Sequence, residues 1–222
     1  VPHDFKFEAP DGKKRAADAL DNECVEILAK HYPNNRANAF LDWFTYSDNT
    51  IDGQSKKKAY TFMESNIIAD GDIGTVKALQ QIHAYIFGGL YDFAGQIRTK
   101  TISKGGFTFC LAEYLPHELQ KIESMPEDTF DQIVAKYIEM NVAHPFMEGN
   151  GRSTRIWLDL ILKKRLQRCV DWSKINKNDY LQAMQASVVN LYPIHSLLAS
   201  ALTDKINDRD TFMKGIDYSY YY

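Results

Sequence analysis

The stretch STRIWLDLILKKRL, at residues 153–166, is apolar on nearly every face of a helix except at its two ends. A helix with apolar side chains all around it has to be buried on all sides. Other segments with helical periodicity then have to pack around it to form a core. The sequence therefore predicts a mostly all-α fold in which residues 153–166 form the buried central helix.

Several other segments repeat apolar residues at every third or fourth position, which is typical of helices that bury one face. After a polar arm at residues 1–12, the predicted helices cover residues 13–31, 37–48, 55–68, 75–91, 112–124, 128–143, 176–187, 193–206 and 208–217. The sequence NTIDG, between the second and third of these, is predicted to be a turn. We expect residues 1–54 to form an N-terminal helical extension and residues 55–222 to form the main domain.

The period changes over residues 97–110, which read IRTKTISKGGFTFC. Ile97, Thr99 and Thr101 alternate with other residues before KGG, and Phe107 and Phe109 alternate after it. Alternation of this kind on both sides of a glycine pair is typical of a β-hairpin. The sequence predicts one small hairpin in an otherwise helical domain.

The sequence HPFMEGNGR, at residues 144–152, lies between two predicted helices. Pro145 disfavours a helical backbone at His144, so we expect the helix to end there with His144 extended. Glycines and asparagine tolerate positive φ, so Gly149, Asn150 and Gly151 can turn successive N–H groups inward to form an anion nest. The next helix begins there with its positive end facing the same point.

Charged side chains flank this nest. Arg152 and Arg155 are three residues apart on one helix face and are suited to binding a polyphosphate. Glu148 supplies a single carboxylate of the kind that holds Mg²⁺ together with substrate phosphates, while Phe146 is expected to point into the core. These residues predict a Mg²⁺–nucleotide site with His144 as general base; an ordinary capped loop with surface charges is the alternative.

The same stretch resembles the signature of the Fic family, HxFx(D/E)GNGRxxR. The match comprises His144, Phe146, Glu148, Gly149, Asn150, Gly151, Arg152 and Arg155. The resemblance extends over about residues 55–222, from GTVKALQQIHAYIFGGLYDFAGQIR to the chain end. It implies a Fic-type helical bundle with a β-hairpin flap.

The family resemblance also implies transfer of AMP from ATP to a Tyr, Ser or Thr hydroxyl of a target protein, with release of pyrophosphate. His144 would take the hydroxyl proton, and Glu148 would hold the Mg²⁺ that bridges the α- and β-phosphates. Gly149, Asn150 and Gly151 would cradle the phosphates. Arg152 and Arg155 would bind the β- and γ-phosphates.

The hairpin corresponds to the flap that docks the target in the family, with Lys104, Gly105, Gly106 and Phe107 as candidate contacts. A purely structural hairpin is the alternative. Relatives of the Doc type carry a bulky basic residue in place of the second glycine and transfer phosphate. Because this chain keeps Gly151, the resemblance favours AMP transfer, although relatives that transfer phosphocholine or remove AMP are also known.

Many Fic proteins carry an inhibitory helix with the motif (S/T)xxxE(G/N), which is C-terminal in one class. Its Glu pairs with the second arginine of the signature, here Arg155. Ser219 and the tyrosines 220–222 match the first four positions, and the chain stops where the Glu would come. The resemblance thus implies a truncated C-terminal regulatory helix and a chain released from inhibition.

The sequence offers a second candidate inhibitory residue and a set of candidate modification sites. TYSDNTIDG, at residues 45–53, places Asp52 where an N-terminal form of the motif has Glu, but Asp is shorter and a helix-capping turn is the alternative. Tyr220, Tyr221 and Tyr222 are candidate sites of self-modification.

The composition limits the other classes of function. A net charge of −3 and a pI of about 6.1 argue against direct nucleic-acid binding. The sequence contains no run of 18 apolar residues, which argues against a membrane span. Cys24, Cys110 and Cys169 show no paired spacing, so we expect reduced thiols in a cytoplasmic, bacterial protein.

The expected partners are ATP and a target protein with an exposed hydroxyl side chain, and self-association is a further expectation from the family. Three alternatives stay open at this point. They are a non-catalytic nucleotide-binding regulator, an AMP-removing hydrolase, and an interaction module that functions through residues 1–54.

Overall fold

The computed structural model of the protein describes residues 6–8, 14–16 and 49–220. The chain divides into two compact units at Lys58 and Ala59, four residues beyond the boundary predicted from the sequence. In the first unit, β1 (Lys6–Glu8) pairs antiparallel with β2 (Lys14–Ala16), so that Phe7 lies opposite Arg15. The helix predicted at 13–31 is therefore wrong at its start. The rest of that helix and the helix at 37–48 lie outside the described residues.

Helix α1 (Ile51–Ser65) begins earlier than predicted. The Oγ1 atom of Thr50 accepts a hydrogen bond from the N–H of Gly53 at 3.1 Å, which caps the first turn. Residues 51–53 of the predicted NTIDG turn are therefore helical.

The second unit contains most of the helices. They are α2 (Val76–Phe87), α3 (Leu115–Glu123), α4 (Phe130–Ala143), α5 (Asn150–Leu166), α6 (Lys177–Ala186), α7 (Tyr192–Ser200) and α8 (Arg209–Tyr220), with short 3₁₀ turns at Asp70–Asp72 and Trp172–Lys174. Thr129 caps α4 in a capping box with Gln132, and Thr75 caps α2. The predicted mostly helical fold is confirmed.

Helix α5 lies at the centre of this unit, as predicted. Its apolar residues Ile156, Trp157, Leu158, Ile161 and Leu162 are all buried. It packs against α2, α4 and α8, and the indole N–H of Trp157 donates to the carbonyl of Thr75 at 3.0 Å. Because α5 is fixed along its length, the position of its N-terminus is also fixed.

The predicted hairpin is present but short. Strand β3 (Ser103–Lys104) pairs with β4 (Phe107–Thr108), and the two residues between them, Gly105 and Gly106, have φ values of 58° and 81°. Positive φ at both positions of a two-residue loop matches the twist of a hairpin and favours glycine. The flap is therefore a tight, exposed hairpin with two residues in each strand.

A second small ladder was not predicted. Strand β5 (Cys169–Val170) pairs with β6 (Leu202–Thr203), and the N–H of Asp171 donates to the carbonyl of Ala201 at 2.9 Å. The helix predicted at 193–206 is wrong beyond Ser200, where α7 ends. Apolar spacing alone cannot distinguish one more helical turn from a two-residue strand whose partner lies over thirty residues away.

Candidate active site

The loop of residues 144–149 joins the end of α4 to the start of α5. Phe146 is buried, as predicted. The side chain of Asn150 forms hydrogen bonds with both the backbone N–H and the carbonyl of Phe146. The Oδ1 atom of Asn150 accepts from the N–H of Phe146 at 2.8 Å, and Nδ2 of Asn150 donates to its carbonyl at 2.7 Å. The side chain of Asn150 therefore fixes the loop. The predicted phosphate contact would be made by the backbone N–H of Asn150.

His144 has a left-handed backbone, with φ 50° and ψ 64°, so the predicted extended conformation is wrong. It is the C-cap of α4, and its N–H donates to the carbonyl of Met140 at 3.0 Å. Left-handed caps are common at helix ends, although this conformation strains the backbone of a residue other than glycine. Here the capping geometry outweighs the preference that Pro145 imposes on the residue before it.

The imidazole of His144 is oriented by two contacts. Its Nδ1 atom lies 3.1 Å from the carbonyl oxygen of Asn141, and the ring stacks on Phe109 with centroids 3.7 Å apart. A carbonyl oxygen can only accept, so Nδ1 carries the proton and Nε2 is left as an acceptor. This is the tautomer that a general base acting through Nε2 requires.

The pKa of His144 is lowered to about 4. Burial is the largest cause, and the positive charges of Arg98 and Lys104 lower the pKa further, while the carbonyl of Asn141 and the charge of Glu148 oppose the shift. The imidazole is therefore neutral near pH 7 and able to accept a proton.

We expect the ring resonances of His144 to move by no more than about a tenth of their full titration shift between pH 5 and pH 8 in an NMR titration of the free protein. An unperturbed histidine, with a pKa of about 6.5, would pass through its midpoint in that range. A midpoint for His144 between pH 6 and pH 7 would contradict this prediction. The shift also makes the folded state less stable as the pH falls from about 6.5 toward 4, because the unfolded chain binds a proton that the folded chain does not.

The anion site differs from the predicted nest. Gly149 has φ 79° and is the N-cap of α5, but Gly151 is an ordinary helical residue, so the expected positive φ at Gly151 is wrong. A Cβ atom on Gly149 would lie 2.4 Å from the ring of Phe87, whereas one on Gly151 would meet only the guanidinium of Arg155, at 3.6 Å. The site is therefore a helix N-terminus, where the N–H groups of the first turn have no partner within the helix.

The two arginines of the signature have different surroundings. Arg152 lies 3.6 Å from the carboxylate of Glu148, and its guanidinium stacks over the rings of Phe87 and Tyr220. Arg155 is buried; its Nε donates to the Oγ of Ser219 and its NH2 to the carbonyl of Ser219, both at 2.9 Å. The end of α8 thus contacts both arginines.

Glu148 is the candidate magnesium ligand. Its side chain is 56% exposed, and its Oε1 atom accepts from the N–H of Gly149 at 3.0 Å. Among the described residues no group of three or more His, Cys, Asp or Glu side chains could hold a metal ion. A lone exposed carboxylate fits Mg²⁺ that takes its remaining ligands from water and phosphates.

The other predicted site residues lie apart from the loop. Lys104, Gly105, Gly106 and Phe107 are exposed on the hairpin. The Phe107 ring contacts Phe109 edge to face, and Phe109 in turn stacks on His144, so the flap is linked to the imidazole. Asp52 is an exposed residue in the first turn of α1, and Tyr221 and Tyr222 lie outside the described residues.

Sequence reasoning missed His83 as a residue of the site. It is completely buried in α2, its Nε2 lies 2.9 Å from the carbonyl of Glu148, and its Nδ1 accepts from the N–H of Gly95 at 2.8 Å. Its ring also stacks on Phe146, at 3.9 Å. Burial lowers its pKa to about 4, which keeps the ring neutral between these two partners. The one sequence feature that could have indicated its role is its position within the apolar stripe of a helix.

Two further findings concern the described part of the chain. No helix there is both long and apolar enough to cross a membrane. Cys110 and Cys169 are free thiols, and Cys24 lies outside the described residues.

The structure thus defines a helical domain in which His144, the C-cap of one helix, is joined by a short loop to the N-terminus of the central helix. The sequence model of the Fic/DOC family matches residues 74–162, which include this whole arrangement. Residues 74–162, which hold the candidate site, are thus similar to the Fic/DOC family.

Individual proteins of similar sequence or structure agree with this match. Protein adenylyltransferase VbhT of Bartonella schoenbuchensis is 29% identical over 154 residues, covering 64% of this chain and 31% of the relative. The probable protein adenylyltransferase Fic of Escherichia coli is 28% identical over 123 residues, covering 50% of this chain and 60% of the relative. The crystal structure of BepC from Bartonella tribocorum, with bound AMPPNP, matches with a TM-score of 0.60 at 18% identity. That match covers 69% of this chain and 84% of BepC. The chain thus spans about a third to two thirds of the length of these two curated relatives.

Proposed function

We propose that this domain is a protein adenylyltransferase, which transfers AMP from ATP to a hydroxyl side chain of a target protein. The observation that carries the proposal is the state of His144. Its Nδ1 is held by the carbonyl of Asn141, its lowered pKa keeps the ring neutral near pH 7, and the loop that follows it leads directly into the N-terminus of α5. The names of the curated relatives and the ATP analogue bound to BepC support the choice of reaction and nucleotide.

The proposed reaction begins when Nε2 of His144 accepts the proton of the target hydroxyl. The hydroxyl oxygen attacks the α-phosphorus of ATP and forms a new P–O bond, while the bond to the β-phosphate oxygen breaks and pyrophosphate leaves. The N–H groups at the start of α5 and the guanidinium of Arg152 stabilise the negative charge on the phosphates. Glu148 would hold a Mg²⁺ ion, which supplies neutralisation of phosphate charge.

The flap is the proposed docking site for the target. Its strands are only two residues long and exposed, so an extended target segment can pair with the free edge and bring its hydroxyl toward His144. Lys104 and Phe107 are the candidate contacts, as the sequence predicted.

The test uses ATP labelled at either the α- or the γ-phosphate, with Mg²⁺, the purified chain and a cell extract. Protein labelled from the α position alone supports AMP transfer. Label from the γ position alone would instead indicate a kinase of the Doc type. If ATP binds without any transfer, the domain is a non-catalytic regulator; if pre-labelled protein loses AMP, it is a hydrolase.

We further propose that the end of α8 regulates the site. The hydrogen bonds from Arg155 to Ser219 keep this guanidinium on α8, where it is not available to a γ-phosphate. These acceptors are neutral, and a hydrogen bond to a carboxylate is roughly twice as strong. A carboxylate in place of these acceptors is therefore expected to hold Arg155 more strongly.

Removing residues 218–222 is expected to increase AMP transfer severalfold, because Arg155 becomes available to the nucleotide. The matched control removes residues 221–222 only, which leaves Ser219 in place. Appending Glu-Gly to the full chain is expected to suppress activity. Equal rates for all of these chains would contradict a regulatory role for α8.

A further inference from the structure

The side chain of Arg98 connects the flap to the catalytic loop. Arg98 lies between α2 and β3 and is 4% exposed. Its guanidinium donates to four carbonyl oxygens. These belong to Lys100 at 2.7 Å, Cys110 at 2.5 Å, Ala143 at 2.9 Å and His144 at 2.7 Å. In addition, the backbone N–H of Arg98 donates to the carbonyl of Pro145 at 2.8 Å.

These acceptors belong to two structural elements. Lys100 precedes β3 and Cys110 follows β4, so their carbonyls mark the two ends of the hairpin. Ala143 and His144 lie at the C-terminus of α4, where the helix dipole and the unpaired carbonyls favour a cation. One planar guanidinium therefore holds both the base of the flap and the backbone of the general base.

The geometry at His144 explains why such a residue is needed. The left-handed backbone of His144 is strained, and its carbonyl would otherwise lack a partner within the helix. The hydrogen bond from Nε of Arg98 gives this carbonyl a partner and fixes the backbone of His144, which carries the imidazole. The imidazole is covered from the flap side by Phe109, which lies next to Cys110.

We propose that Arg98 is a positioning residue that couples the flap to His144. It keeps the flap, where the target docks, at a fixed position relative to the imidazole of the general base. The functional part of this inference rests on the proposed AMP transfer. The structural coupling itself can be tested without ATP or a target, so the two can fail separately.

The first experiment measures amide hydrogen exchange in the R98K and R98Q variants. Lysine keeps the charge but is a compact donor that cannot span four carbonyls, so both variants should loosen the flap. The reporters are the N–H groups of Phe109 and Cys110, which donate to Ile102 and Val142 at 3.2 Å each. We expect their exchange to rise at least about tenfold, while amides in α6 do not change.

The second readout is the NMR titration of His144. Arg98 and Lys104 both lower the pKa of this imidazole and Glu148 raises it, with burial as the largest contribution. R98Q removes a positive charge and loosens the cover of Phe109, so the midpoint should rise toward about 6.5. R98K keeps the charge, so its midpoint should rise less. A general loss of stability would not give R98Q a higher His144 midpoint than R98K.

The third readout is AMP transfer. We expect R98K to lower kcat about 10²-fold, the effect of a displaced catalytic group, and to change the KM for ATP little. Phe109→Leu should lower kcat as well, and the double variant should lose less than the product of the two separate effects. The control R168K changes an exposed arginine outside the site and should have no effect.

Unchanged exchange at Phe109 and Cys110 in both Arg98 variants would overturn the proposal, as would additive effects in the double variant. If R98Q does not fold, R98K and Phe109→Leu still give the exchange and kinetic comparisons. If the wild-type chain transfers no AMP, the proposed function fails, while exchange and titration still decide the coupling.

Discussion

Replacing His144 with alanine is expected to lower the rate of AMP transfer by about 10²–10⁴-fold, the contribution that a general base typically makes. Affinity for ATP should change little, because the phosphates are expected to contact the N-terminus of α5 and Arg152 rather than the imidazole. The measurement compares the initial rate of transfer from α-labelled ATP with the dissociation constant for ATP. His117→Ala is the matched control, since His117 is an exposed histidine on α3 with 79% of its side chain accessible.

Two results would contradict the assigned role of His144. If the alanine variant keeps more than about a tenth of the wild-type rate, a group other than His144 accepts the proton. If it loses ATP binding in parallel with activity, the imidazole has a structural or binding role. Loss of thermal stability in His144→Ala but not in His117→Ala would indicate that the loop itself has been disturbed.

The sequence was sufficient where the structure depends on neighbouring residues. The central helix followed from its apolar faces, and the hairpin from KGG and its flanking alternation. Phe146 was placed in the core, and Glu148, Gly149 and Arg152 were placed around one helix start. Each of these features is set within a few residues of chain by periodicity, turn chemistry or helix ends.

The sequence was not sufficient where a contact joins distant segments. Arg98 is 46 residues from His144 and His83 is 65 residues from Glu148, yet both hold the backbone of the loop at residues 144–149. An arginine in a loop and a histidine on an apolar stripe carry no local sign of such a partner. The left-handed backbone of His144 could not be predicted for the same reason, because the cap and the Arg98 contact that support it are tertiary features.

Arg155 is an intermediate case. The family resemblance predicts that it binds a phosphate, and it predicts that Ser219 belongs to a regulatory helix. Their hydrogen bonds show that the two residues meet, across 64 residues of chain. Whether α8 then controls nucleotide binding depends on the strength of these contacts relative to those of a γ-phosphate, which the truncation series measures.

Replacing Glu127 with alanine is expected to cause a large loss of stability. Glu127 is almost buried, and its carboxylate lies 2.8 Å from Nζ of Lys136 and 2.7 Å from NH2 of Arg165. Burial alone would raise its pKa, but hydrogen bonds from both cations outweigh burial and lower it. Lys136 belongs to α4 and Arg165 to the last turn of α5. The carboxylate therefore holds together two helices whose other ends form the candidate active site.

Without Glu127, the ammonium of Lys136 stays buried with two weak hydrogen-bond partners, the carbonyls of Glu123 and Met125 at 3.4 and 3.5 Å, and with the ring of Trp157 at 5.9 Å. Breaking a buried ion pair in this way costs about 3–5 kcal/mol, which lowers the melting temperature by about 6–20 °C in a chain of this size. The control is Glu118→Ala, which removes a surface pair with Lys121 and should cost less than about 1 kcal/mol. Because the penalty comes from the unpaired charge, adding Lys136→Met to the Glu127→Ala variant should restore most of the stability. If the double variant is as unstable as Glu127→Ala alone, the loss comes from packing or from Arg165, and the buried ammonium is not its cause.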